Sequence, residues 1–270
     1  MQPLQIMRLV FLSLAMVIVS FVRPASCIAE EPSVVAVGGN FFYMEGHEDK
    51  ISGESPQTLN NRVQATTWHG IRAWHITWGD RRIKAEHYIR MSDGAPLYVK
   101  RINHVSHSSV EIQYSLDAKL PSIYRRSSKN EYVERKIWHT GLRDLGALPQ
   151  LLMSRQNSSD AEAITFSAIN YDDGQVYDLI AKRKGFRNMF VLGRRVHCAS
   201  YSVNLDSWKA AFNKSMHMLV PTQPGSTNFL TYYGPDPAGT GEDLTLRFVS
   251  KSQSVALLSG HAAGVHLTTN

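Results

Sequence analysis

"TWHGIRAWHITWGDRR", residues 67–82, sets three tryptophans and two histidines within sixteen positions, and its period decides the fold. From Ile71 onward, Trp74, Ile76 and Trp78 alternate with Ala73, His75 and Thr77. A period of two sends these sets to opposite faces of a β-strand. Gly79 and Asp80 then read as a two-residue hairpin closure that pairs Trp78 with Arg81, Ile76 with Ile83 and Trp74 with Ala85. In that register both strands turn their apolar residues the same way.

The alternation also separates the histidines. His75 falls opposite Lys84 on the polar face, His87 follows Ile83 and Ala85 on the apolar face, and His69 belongs to the turn before the strand. Zinc ligands must converge on one point, with bonds of about 2.0–2.1 Å to imidazole, so no metal site is read here. His104 and His107 in "HVSH" have no cysteine or carboxylate beside them and read as solvated loop residues.

The same grammar continues along the chain. "APLYVKRIN" and "SSVEIQYSL" flank the histidine loop, "IYRRSS" and "EYVERKIWH" flank "KN", "AITFSAINY" and "QVYDLIAKRKG" flank "DDG", "FVLG" leads into "RRVHCASYSVNL", and "NFLTYYG" precedes "EDLTLRFVS". Runs rich in Val, Ile, Tyr and Thr between Gly, Asp and Asn clusters are hairpins. The expected fold is mainly β: an antiparallel, strongly curled sheet of about a dozen strands, an open or half barrel. One segment breaks the pattern. "TGLRDLGALPQLLMSRQ" has Thr140 as a candidate N-cap, Leu142, Leu145, Leu148, Leu151 and Leu152 near helical spacing, and Pro149 starting a second turn. It is expected to close the concave face as a helical plug.

Before this body lies an N-terminal basic stretch ending at Arg8, an apolar run from Leu9 to Val22 and the exit "RPASCIAEEP". The run is shorter than the ~20 residues that span a bilayer, so residues 1–29 read as a secretory signal peptide cleaved after Ala29. "ASC" ending at Cys27 also fits the end of a lipoprotein box, with Pro24 where Leu is usual. Secretion to the periplasm and lipid anchoring through Cys27 are the two alternatives. Residues 30–59 are weakly patterned and read as a linker or a loosely attached first strand, residues 60–250 as one β-rich domain, and 251–270 as a flexible tail.

Cys198 is the remaining cysteine and reads as a small buried apolar group, with His197 on the opposite face. The formal charge is +6, spread over "GDRR", "YRRSS", "VERK", "AKRKG" and "GRRV" at hairpin ends. They read first as solvated hairpin ends and second as an anionic-surface patch; the export signal disfavours nucleic acid further, so phospholipid head groups or a polyanionic envelope polymer are the better charged partners. No Gly-x-Ser-x-Gly, His-Glu-x-x-His or Ser-x-x-Lys motif occurs, and Asp172 and Asp173 in "YDDGQ" are accounted for by a turn. No catalytic residue and no cofactor is assigned.

"LRDLGALPQLLMS", "VYDLIAKRKG", "FVLGRRVHCASYSVNL", "MHMLVPT" and "NFLTYYGP", with "DGAPLYVKRI" in the first half, together resemble an uncharacterised exported bacterial family, a domain of unknown function. Its members share the open-barrel fold of the outer-membrane lipoprotein carriers. The resemblance covers residues 60–250 and implies fold, compartment and the handling of an apolar ligand or lipoprotein; it supplies no catalytic residues. The long N-terminal lead and C-terminal tail depart from it. The reading that follows is a carrier-like binding protein whose curled sheet holds an acyl chain or hydrophobic segment on Trp74, Trp78, Ile83, Leu145, Leu148 and Leu152. An envelope scaffold binding anionic surfaces is the alternative, and an enzyme acting on an envelope polymer stands third.

Overall fold

A computed structural model describes residues 38–46, 58–156, 162–191, 193–206, 215–223, 228–235 and 243–249. The expected signal peptide, Cys27 and the tail from 251 lie outside these residues. The chain runs through β1 (Gly39–Gly46), β2 (Thr58–Trp68), β3 (Ile71–Gly79), β4 (Ile83–Arg90), β5 (Pro96–Asn103), β6 (Ser108–Gln113), β7 (Ser122–Ser127) and β8 (Tyr132–Ile137). A short β9 (Leu142–Arg143), a 3-10 turn (Leu145–Ala147) and one helix, α1 (Leu148–Arg155), follow. Then come β10 (Ala163–Ile169), β11 (Val176–Val191), β12 (Arg194–Leu205), β13 (Met216–Pro221), β14 (Thr231–Pro235) and β15 (Asp243–Val249).

All fifteen strands belong to one sheet, in the order β8-β7-β6-β5-β4-β3-β2-β1-β15-β14-β13-β12-β11-β10-β9. The count exceeds the expected dozen for four reasons. Thr58–Trp68, assigned to no hairpin by the sequence, is β2. The segment 39–46, within the lead that reads as a linker or a loosely attached first strand, is a strand that packs Phe41 and Tyr43 into the core. Leu142 and Arg143 form a short strand where a helix was expected. "MHMLVP", which was not read as a strand, is β13. In the other direction, "VYDLIAKRKG" and "FVLG" merge into the single sixteen-residue β11.

Every pairing is antiparallel except the short parallel contact of β9 with β10. Sequence neighbours pair except β8 with β9, and β1 pairs with β15. Strands β8 and β9, consecutive in the chain, are therefore the two edges of the sheet. Backbone pairing does not close the ring, and side chains bridge the seam. Tyr124 on β7 donates to the Tyr171 carbonyl at 2.8 Å, and Arg126 donates to that of Asp172 at 2.8 Å. Val110, Ile112, Tyr124 and Ile137 from one edge pack with Leu142, Ile169 and Tyr171 from the other. The turn carrying Tyr171 needs a glycine: Gly174 has φ +68° and a Cβ there would lie 2.6 Å from the Tyr124 ring.

The β3–β4 hairpin corrects the expected register. Trp78 faces Ala85, Ile76 faces His87 and Trp74 faces Ile89. The Asp80 carboxylate accepts from the Arg82 amide at 2.6 Å and the Ile83 amide at 2.8 Å, while the Asp80 amide donates to the Ile83 carbonyl at 2.9 Å. That local network widens the turn by residues which the two-residue reading placed in the strand. The shift is even, so the inward face is unchanged.

The helical segment is also shorter than its leucine spacing suggested. Thr140 does not cap it; the Asp144 side chain accepts from the Gly146 amide and starts the 3-10 turn, and Pro149 occupies the first turn of α1. Leu148, Leu151, Leu152 and Met153 are buried against the concave sheet face. Cys198 is buried in β12 and His197 is exposed on the other side. Burial pushes the Cys198 thiol up to about 11.

Candidate functional site

Two adjacent cross-strand rows on the inner face build the site. One runs Val63, Ile76, His87, Val99, Ile112 and Tyr124 across β2 to β7, so a single histidine interrupts an otherwise apolar layer. The next runs Asn61, Trp78, Ala85 and Arg101. A polar group in such a layer must find partners or cost several kcal/mol, about 2–7 by transfer scales.

His87 finds two. Trp78 Nε1 donates to His87 Nε2 at 2.8 Å, and His87 Nδ1 meets Asp144 Oδ2 at 2.7 Å. Indole is a donor only, so Nε2 is the acceptor and the proton on Nδ1 points to Asp144. The other Asp144 oxygen accepts from the Tyr171 hydroxyl and from the Gly146 amide. Burial works to raise the Asp144 carboxyl, but the facing His87 and the bonds from His87, Tyr171 and Gly146 outweigh it and hold the group below its ordinary value. Burial, with Asp144 alongside, pushes the Tyr171 hydroxyl well above the phenol range. Gly146 lies flat on the imidazole, where a Cβ would stand 2.1 Å from His87 Cε1.

Both ring nitrogens of His87 are thus committed to protein partners. The arrangement fixes the imidazole in one tautomer and ties β4 to the turn that launches α1. Among the described residues no three His, Cys, Asp or Glu side chains gather in a metal-binding group.

Between this network and α1 lies a cavity of about 500 Å³. Its walls are mainly apolar, with Leu59, Leu179, Met218 and Leu246 from the sheet and Phe229 from the segment before β14 facing Leu148 and Pro149 of the helix. The volume falls within the range of about 300–1,000 Å³ that holds small organic ligands. Its polar lining comprises Asn61, Arg101, Gln150, Asn170, Asp172, Asn204 and Asn228, beside three tyrosines. Arg101, only 9% exposed, places its guanidinium carbon 5.1 Å from the centre of the Tyr171 ring and 6.0 Å from that of Trp78. Asn61 Oδ1 and Gln150 Oε1 are buried and accept no hydrogen bond among the described residues.

Of the residues expected to hold a ligand, Trp78, Leu145 and Leu148 line this cavity. Trp74, Ile83 and Leu152 do not. Leu152 is fully buried in the core and Trp74 packs against it, two pairs along β3 from Trp78. Ile83 sits at the turn end of β4 opposite Asn103. Arg101, Gln150 and the His87–Asp144–Tyr171 network were not assigned from sequence. A signal for two of them existed: His87 shares parity with Ile83 and Ala85, and Arg101 with Val99, so each is a polar residue on an apolar face.

No family model and no curated protein matches the chain. Among solved structures, the β-barrel-like protein of domain of unknown function DUF1849 from Brucella abortus superposes with a TM-score of 0.54 at 5% identity, covering 81% of this chain and 98% of that one. The hypothetical lipoprotein YmcC from Escherichia coli (K12) gives a TM-score of 0.32 at 10% identity, over 80% of this chain and 89% of that one. The first match bears out, at the level of fold, the resemblance read from the sequence: this chain has the barrel-like fold of a domain of unknown function.

Proposed function

We propose that the protein is an exported, periplasmic binding or carrier-like protein that holds the apolar chain of an amphiphile between the concave sheet and α1. The observation that carries this reading is the cavity itself, mainly apolar and furnished with one buried guanidinium. Each methylene taken from water contributes about 0.8 kcal/mol, so a chain of ten or so offsets an association cost of at least ~4 kcal/mol. Arg101 favours an anionic end group on that chain, and the unpaired oxygens of Asn61 and Gln150 favour hydroxyl or amide donors beside it. The apolar N-terminal stretch supports the exported setting.

The test is organic extraction of the purified protein followed by mass spectrometry, with displacement of a fluorescent fatty-acid probe from the delipidated protein. A co-purifying amphiphile, or probe binding that weakens at least tenfold when Met218→Trp fills the cavity, is the expected result. An empty extract together with no probe binding sinks the proposal.

A further inference from the structure

Strands β11 and β12 outrun the sheet. β10 pairs with β11 only as far as Lys182, and β13 pairs with β12 only from Cys198. β11 is free of β10 from Arg183 onward, and the two strands continue with no neighbour on either side from Asn188↔His197 to Val191↔Arg194. The departure is marked by a bulge between Arg183 and Gly185, where Gly185 takes φ +140°, and the tip turns at Gly193 with φ +75°. At ~3.4 Å per residue the ribbon reaches about 14 Å past β13 and about 30 Å past β10.

Its composition is unlike the rest of the surface. Between Asp178 and Asp206 there are six cations, Lys182, Arg183, Lys184, Arg187, Arg194 and Arg195, and no acid. Lys184, Arg187, Arg194 and Arg195 are exposed, and no ion pair joins these six to a carboxylate of the described residues. Among them stand Phe186, 52% exposed, and Phe190, 77% exposed, with Met189, Val191 and Val196 on the ribbon's other face. An isolated two-stranded ribbon is only marginally stable in water, and two exposed phenylalanines add to that cost.

We propose that this ribbon is a docking finger for an anionic lipid bilayer. The phenylalanines enter the interface, and the arginines contact the lipid phosphates. Charge complementarity selects the occupant: basic residues beside a bilayer gain from its negative surface potential, and aromatic rings sit well at headgroup depth. A single-stranded nucleic acid would also attract cations and stack on rings, but it binds in grooves that track its backbone. A narrow two-stranded ribbon whose cations are divided between its faces, Arg187 and Arg194 with Met189, Val191 and Val196 on one and Arg195 with the phenylalanines on the other, offers no such groove. The inference goes beyond ligand holding and stands whether or not the cavity is filled.

The experiment places an environment-sensitive fluorophore on the ribbon, on the face that carries Phe186 and Phe190, through Asn188→Cys in the full-length chain carrying Cys27→Ser; Cys198 is buried. A label there reads the ribbon and not residues 9–22. Vesicles of phosphatidylcholine with phosphatidylglycerol should shift the emission to the blue, while phosphatidylcholine alone leaves it unchanged. Replacing Arg187, Arg194 and Arg195 by Gln should weaken the apparent affinity about a hundredfold, and Phe186→Ser with Phe190→Ser about tenfold. Circular dichroism and the unfolding midpoint check that both variants fold. An unshifted label, variants that bind like the parent, or a stronger response to a single-stranded oligonucleotide than to the vesicles would each overturn the proposal.

Discussion

His87 donates from Nδ1 to the Asp144 carboxylate at 2.7 Å, with both side chains wholly withdrawn from solvent and 57 residues apart in the chain. The contact joins the middle of the sheet to the turn from which α1 starts. Removing the carboxylate leaves the neutral imidazole buried without its bond, which costs about 1–3 kcal/mol. Asp144→Ala should therefore lower the unfolding free energy by that amount in urea titrations at neutral pH, with a slope unchanged from the parent.

Acid should act on the same group. The folded carboxyl of Asp144 lies below its ordinary value, so the unfolded chain takes up the proton first, near a pH of about 3.9. The stabilisation from Asp144 is complete above that pH and disappears as pH falls through the lower folded value. Asp144→Asn should flatten the loss of stability below about pH 4, measured by denaturant unfolding across the acid range. An acid limb identical to the parent's would contradict the assignment.

Gly146 tests the packing of the ring. A methyl at this position would stand 2.1 Å from His87 Cε1, and overpacking of a filled site costs about 1–3 kcal/mol. Gly146→Ala should be destabilising by that much in the parent but nearly neutral in a His87→Ala background. The double-mutant cycle would then show a coupling above about 1 kcal/mol; additivity would mean the ring is not what the methyl meets.

The seam offers a fourth measurement. Tyr124→Phe deletes the donor to the Tyr171 carbonyl, worth about 1 kcal/mol net. Amide exchange should quicken in β7 and β8 while β3 and β4 keep their protection, because the loosened contact is at one edge of the sheet. Equal acceleration everywhere would show that the seam does not open by itself.

The proposed preference for an anionic head group rests on Arg101. Arg101→Met keeps the apolar stem and removes the cation, so a carboxylate-ended probe should bind at least tenfold more weakly while an alcohol of the same chain length is unaffected. Competition titrations with both probes separate this effect from general damage to the cavity.

The sequence displayed the inward face of the sheet clearly, because alternation survives any even shift in register: Trp74, Ile76 and Trp78 share a side whether the β3–β4 turn holds two residues or more. The turn length was not legible, since it depends on Asp80 bonding two amides beyond itself. β1 was obscured because "GNFFYMEG" contains glycines at both ends, and its strand character comes from partners far along the chain. The site was half legible. A histidine and an arginine with apolar parity were visible, but Asp144 lay in a stretch read as helix. Only the folding back of β9 beside β10 brings it to His87.

The pairing of Tyr43 with Phe248 has a kinetic meaning. These residues belong to the outermost described strands of the chain, yet they meet in the centre of the sheet, with seven strands on one flank and six on the other. Each flank can zip up from short-range hairpins, whereas the join between them must close a loop of about two hundred residues, the slowest kind of contact to find. The two halves are therefore assembled early and latched late. Deleting β15 would split the sheet down the middle instead of trimming its border.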